Sequence, residues 1–83
     1  MSVVDRREKS LAEAVAILVE KIHQSFPAVA TRPIPPYEDE DFTLEVRIPA
    51  DMERDQVMHG CIQHALHIED AFGFTILTRV KTE

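Results

Sequence analysis

Cysteine, glycine and aromatic residues are scarce in this chain of 83 residues, and each scarcity excludes a class of function. Cys61 is the single cysteine, so no internal disulfide can form, which suits a reducing compartment. Gly60 and Gly73 are the only glycines, too few for a glycine-rich loop that cradles phosphate. Aromatic residues make up 6% of the chain and tryptophan is absent, which argues against a platform for stacking nucleic-acid bases.

Positive charge is also in short supply. Nine Lys and Arg residues stand against fifteen Asp and Glu residues, which gives a formal charge of −6. Proteins that bind nucleic acid non-specifically have the opposite balance, so we expect no nucleic-acid partner. No apolar run approaches the roughly 20 residues that cross a bilayer, and no signal peptide is evident. We therefore expect no membrane role and a cytoplasmic location.

The composition is that of one small folded domain, predicted to span residues 1–83, with 45% hydrophobic and 29% charged residues. Met1–Phe26 is predicted to be an amphipathic helix, with a possible capping box at Ser2 and Asp5. Pro27 ends it, because the residue before proline avoids the helical conformation. The apolar stripe comprises Val4, Leu11, Val15, Leu18, Ile22 and Phe26, widened by Ala12, Ala16 and Val19, with Ile17 outside it.

Two strands are predicted next. Pro27–Pro36 is extended and rich in proline, which has no amide hydrogen for a sheet ladder, so a strand here must lie at an edge. Tyr37–Asp41 is predicted to be a loop. Phe42–Pro49 alternates apolar and polar residues, as a strand with one buried face does. Its inward residues are Phe42, Leu44, Val46 and Ile48.

A second helix and a last strand complete the chain. The helix is predicted over Met52–Phe72, with Asp51 as its cap and Gly73 as its left-handed stop. Its buried stripe comprises Met58, Cys61, Ala65, Ile68 and Phe72, supported by Val57 and Ile62. Phe74–Val80 is rich in β-branched residues and is predicted to be a strand parallel to Phe42–Pro49.

These elements predict a two-layer α+β fold in the order α-β-β-α-β, with two helices on one face of a three-stranded mixed sheet. The other face would be open and would carry Thr43, Glu45, Arg47, Thr75, Leu77, Arg79 and Lys81. A small sheet with an open face often associates with another copy of itself. The predicted interface residues are Ile17, Thr43, Glu45, Arg47, Leu77 and Arg79.

Three residues of the second helix raise the possibility of a zinc or redox site. Cys61, His64 and His67 lie on successive turns, and thiolate with imidazole suits zinc. Cys61, however, is central in the apolar stripe, where a free cysteine usually acts as a small hydrophobic residue. His64 borders this stripe, so we expect it, rather than His59 or His67, to be buried in its neutral form.

The acidic run Glu38-Asp39-Glu40-Asp41 is a second candidate site. Asp39 and Asp41 are two residues apart and lead into a strand, so they would project to one side and could bind Mg²⁺. The alternative is a solvated turn whose charges protect the end of a hydrophobic hairpin. Composition favours the solvated turn.

The stretch Glu38–Asp51 resembles the part of minimal nucleotidyltransferases where alternating carboxylates open a core strand. With Ala65–Phe74, which resembles a following element, the likeness runs from Glu38 to Phe74. The resemblance implies that Asp39 and Asp41 match the metal-binding pair and that the activity is Mg²⁺-dependent nucleotide transfer. The family's glycine-serine signature has no counterpart, because Thr31–Pro36 occupies its place. The implied relative is therefore degenerate and catalytically inactive.

The leading hypothesis is a non-enzymatic module that acts through protein–protein contact, as a homodimer or with an unidentified protein partner. No cofactor is expected under it. Mg²⁺ would be required only by the nucleotidyltransferase alternative at Asp39 and Asp41, and Zn²⁺ only by the sensor alternative at Cys61, His64 and His67.

Overall fold

The computed structural model describes the backbone of residues 6–83 and the side chains of residues 10–83. Five elements follow one another in the predicted α-β-β-α-β order. They are α1 (Arg6–Ser25), β1 (Ala30–Ile34), β2 (Phe42–Ile48), α2 (Arg54–Phe72) and β3 (Ile76–Thr82). The predicted α+β class and order are confirmed. Val4 and the possible capping box at Ser2 and Asp5 lie outside the described residues.

The three strands form one mixed sheet with β2 in the centre. β1 is antiparallel to β2, with Ala30 opposite Arg47, and β3 is parallel to β2, with Thr43 opposite Leu77. The proline-containing strand is therefore at an edge, as predicted. β3 forms the other edge, and it begins two residues later than the predicted start at Phe74.

The inner face of α1 is centred differently from the prediction. Ala14, Leu18 and Ile22 are fully buried at steps of four, whereas Leu11 and Val15 are only half-buried at its flank. The expected widening by Ala12 and Ala16 is wrong, because both are exposed. The small side chain of Ala14 lets α1 pack closely against its neighbours, so the buried face of the helix is centred on Ala14 rather than on Leu11.

The start of α2 also differs from the prediction. Glu53 occupies the N-cap position without a side-chain hydrogen bond, and Asp51 lies in a turn in which the Met52 amide donates to the Pro49 carbonyl at 3.1 Å. This turn uses the residues that were expected to begin the helix. At the other end, Gly73 has φ of 79° and its amide donates to the Glu69 carbonyl, which confirms it as the stop.

One face of α2 joins the core, and of the two residues expected to support it, Val57 does and Ile62 does not. Val57, Cys61, Ala65 and Ile68 are buried, and Met58 and Phe72 pack at the margin. Ile62 is 45% exposed, so its predicted supporting role in the core is wrong. The core joins these residues to Leu44, Val46 and Ile48 of β2.

Gly60 allows the two helices to approach each other. A Cβ atom at this position would lie 2.6 Å from Cζ of Phe26, closer than real Cβ contacts. The Phe26 ring, which follows α1 directly, therefore packs over the bare backbone of α2. Glycine lowers the stability of the helix at this position, and the contact with Phe26 offsets that loss.

This contact predicts that the effect of Gly60→Ala on the free energy of unfolding changes sign when Phe26 is removed. Gly60→Ala should lower the free energy of unfolding in the wild type, because the Phe26 ring must move. In a Phe26→Ala background the same change should raise it by about 0.5–1 kcal/mol, since alanine is the better helix former. Urea unfolding measures both. Equal effects in the two backgrounds would contradict the contact.

Candidate interaction surface

The outer edge of β3 has backbone groups that point away from the sheet. At one end, Thr75 exchanges hydrogen bonds with Asp41, and at the other the Glu83 amide donates to the Ile48 carbonyl, so both residues point towards β2. Because the direction alternates along a strand, Ile76, Thr78 and Val80 point to the free edge. The Arg54 Nε atom reaches the Val80 carbonyl at 3.4 Å from this side. β3 contains no proline to block pairing.

An apolar groove of about 360 Å³ lies between α2 and this edge. Its lining residues are Met58, Ile62, Ala65, Leu66, Glu69, Ile76, Leu77 and Thr78. Ile62, Leu66 and Leu77 are 45%, 52% and 41% exposed, and they are three of the five large hydrophobic residues exposed in the described part of the chain. The apolar surface is therefore concentrated at one place. We call the β3 edge and this groove together the β3 surface.

The sheet face opposite the helices is less open than predicted. Thr43 is 0% and Glu45 is 6% exposed, so two residues expected at an interface are buried inside the protomer. Arg32 and Arg47 flank Glu45 and both donate to its Oε2 atom. The hydrogen bond from Arg32 is the main cause that lowers the pKa of Glu45, against the opposing effect of desolvation. A buried carboxylate is tolerated here because it is paired.

Cationic side chains dominate that face even though the whole chain is acidic. Arg32, Arg47, Arg79 and Lys81 occupy neighbouring positions around the carboxylate of Glu45. The Arg79 guanidinium lies 4.5 Å from the centre of the Tyr37 ring. This cation–π contact holds the start of the β1–β2 loop against the C-terminal half of β3.

Glu40 organises the β1–β2 loop, and sequence reasoning did not single it out. Its carboxylate accepts from the Tyr37 amide at 2.7 Å, the Glu38 amide at 2.9 Å and the Thr43 hydroxyl at 2.6 Å. These bonds, led by the one from Thr43, lower the pKa of Glu40 to about 2. The acidic run is therefore an ordered turn, and its spacing alone gives no sign of which carboxylate points inward.

The two predicted Mg²⁺ ligands lie in different settings. The Oδ2 atom of Asp41 accepts from the Thr75 amide at 2.9 Å, so this side chain links the entrances of β2 and β3. Asp39 is exposed on the loop. Within the described residues, no three His, Cys, Asp or Glu side chains are grouped so that they could hold a metal ion.

The predicted zinc ligands are likewise divided between core and surface. Cys61 is fully buried, and this burial raises the pKa of its thiol to about 11. His67 is exposed. The side chain of His64 is half-buried. Its Nε2 atom lies 2.9 Å from Oγ of Ser25 at the end of α1, so it connects the two helices. Burial lowers the pKa of His64, and the charges of Lys21 and His67 lower it further.

No family model, curated protein or solved structure matches this chain. The resemblance to minimal nucleotidyltransferases therefore stays a prediction. Neither helix in residues 6–83 is long and apolar enough to cross a membrane.

The lowered pKa of Glu40 predicts an acid-dependent loss of stability. The pKa of Glu40 is about 2 in the native loop and has its ordinary value of 4.5 in the unfolded chain. The carboxylate therefore contributes fully to the free energy of unfolding above pH 4.5, and this contribution is lost as the pH falls from 4.5 to about 2. Glu40→Gln should lower the urea midpoint at pH 7, and the gap to wild type should close as the pH falls. Glu38→Gln, on an exposed neighbour, is the control and should show no such gap.

His64 predicts a second acid effect, below about pH 6.5. A histidine with a lowered pKa resists protonation in the native state while the unfolded chain takes up a proton, so stability falls as the pH drops below the unfolded value of 6.5. His64→Gln should remove much of this slope in urea midpoints, whereas His67→Gln should retain most of it. A slope that survives His64→Gln would contradict this assignment.

Proposed function

We propose that this chain is a non-enzymatic protein-interaction module that self-associates through the β3 surface. The carrying observation is that Ile62, Leu66 and Leu77 line one groove beside a strand edge that no other strand of residues 6–83 pairs with. Contiguous exposed apolar side chains next to a free edge mark protein-contact sites. The groove supplies apolar contact and the edge supplies directed hydrogen bonds, the two components of strand addition.

The roles of the polar side chains support a non-enzymatic module. The carboxylates of Glu40, Glu45 and Asp41 are hydrogen-bonded to neighbouring elements and hold the loop and the sheet face together. The thiol of Cys61 is buried and has a raised pKa, which disfavours the reactive thiolate. These groups are used to build the fold.

The two edges of the sheet support β3, rather than β1, as the contact strand. β1 contains Pro33 within its five residues, and proline removes a donor from the ladder. β3 has seven residues, no proline and an adjoining apolar groove. A long edge strand with apolar flanks is the one that pairs with another chain.

Sedimentation velocity over a range of protein concentrations tests this function. The wild type should self-associate, and the double substitution Ile62→Gln with Leu66→Gln should weaken the dimer by at least about tenfold, or about 1.4 kcal/mol. Both side chains are exposed, so the variant should fold normally by circular dichroism.

Ile17→Gln is the matched control, because Ile17 is 37% exposed but lies on α1, outside the groove. It should leave the dimer intact. If Ile17→Gln dissociates the dimer and the double variant does not, the contact surface is on α1. A wild type that stays monomeric at its highest soluble concentration would overturn the proposal.

A further inference from the structure

Resting on the self-association proposed above, we infer how the second copy binds: its β3 pairs antiparallel with this β3 across a two-fold axis at Leu77. The two three-stranded sheets then become one continuous sheet of six strands.

The backbone directions of β3 fit this register. In an antiparallel pair, residues whose groups point to the partner face each other and exchange both N–H···O bonds. With the axis at Leu77, Ile76 of each copy is opposite Thr78 of the other, and both of these residues point to the free edge. The pairing does not use the Val80 carbonyl, which accepts from Arg54. Leu77 then faces the other copy's Leu77 at a close, non-hydrogen-bonded position.

The same axis brings the two apolar grooves together. The groove residues of β3 are Ile76, Leu77 and Thr78, so a two-fold at Leu77 passes through the middle of this stretch. α2 runs back antiparallel to β3, as the connection between parallel strands requires. The two α2 helices are therefore antiparallel to each other, with Ile62 of one copy towards Leu66 of the other. Ile62 and Leu66 of the two copies then meet on the helix side of the sheet, and the two Leu77 side chains meet on its outer side.

Charge complementarity selects the second copy as the occupant. In this register, Arg79 is opposite Thr75 of the other copy. Thr75 lines a recess together with Glu38, Asp39 and Glu40. The cation on the C-terminal half of β3 thus approaches the acidic loop beside the N-terminal end of the partner strand, and symmetry repeats the contact.

A neighbouring register lacks this match. Moving the axis to Arg79 places Arg79 against its own copy and Leu77 against Lys81. Like charges directly opposite each other destabilise a strand pair. Cations on an edge strand normally prevent such pairing. The Leu77 axis is the arrangement in which the cation meets carboxylates instead.

Disulfide trapping tests the register in the full-length protein. Opposite residues at a non-hydrogen-bonded position have Cα atoms about 4.5 Å apart, within the range that a disulfide spans. Leu77→Cys should therefore form a covalent dimer under mild oxidation. The wild type should not, because its own Cys61 is fully buried with a raised pKa.

A mixed-variant experiment checks the offset and remains informative if Leu77→Cys folds poorly. Thr75→Cys alone and Arg79→Cys alone should stay uncrosslinked, because like positions are four residues, or about 13 Å, apart along the strands. Mixing the two variants should produce the crosslinked heterodimer.

The outcomes separate this inference from the proposed function. A sedimentation dimer in which Leu77→Cys and the mixture both fail to crosslink overturns the Leu77 register and leaves the self-association standing. A wild type that is monomeric at every concentration overturns both.

Discussion

The burial of β2 on both faces is the constraint on which the rest of the structure depends. On the helix side, Leu44, Val46 and Ile48 are almost fully buried and form the centre of the core. On the opposite side, Thr43 and Glu45 are buried as well, although they face away from α1 and α2. Buried polar groups must be hydrogen-bonded, so this face requires partners from elsewhere in the chain.

Those partners come from β1, from β2 itself and from the loop that precedes β2, and they shape the exposed surface. Arg32 of β1 and Arg47 of β2 satisfy Glu45, while Glu40 of the preceding loop satisfies Thr43. Glu40 reaches Thr43 locally, because the two residues are three positions apart in the chain. Arg79 of β3 then holds the loop through Tyr37. A strand that alternates simply in sequence therefore determines where the loop and the cations lie.

The secondary structure was largely predictable because its signals are local. The alternation of Phe42–Ile48 indicated the central strand, the prolines indicated an edge strand and Gly73 marked a helix end. The failures came from tertiary context. Ala14 is central because close packing favours a small residue there, and Gly60 accommodates Phe26, which is 34 positions earlier in the sequence.

The candidate surface was only partly predictable, for a related reason. Leu77 and Arg79 were expected on the outer sheet face from the period of the strand, and β3 places them there. Thr43 and Glu45 were expected to be accessible, but the preceding loop and the arginines cover them. Ile62 belongs to the hydrophobic pattern of α2, and such a pattern does not distinguish a residue packed against its own sheet from one left exposed in the groove.

The acidic loop divides its charges between two tasks, and this division connects the fold to the surface. Glu40 and Asp41 turn inward, where they accept hydrogen bonds from Thr43 and Thr75 and fix the loop beside the start of β3. Glu38 and Asp39 remain exposed beside the same strand. Because the inward pair sets the position of the outward pair, the loop presents a fixed negative charge next to the β3 edge. An ordered charge of this kind favours one strand register over another, whereas a mobile acidic tail would only attract cations without selecting a register.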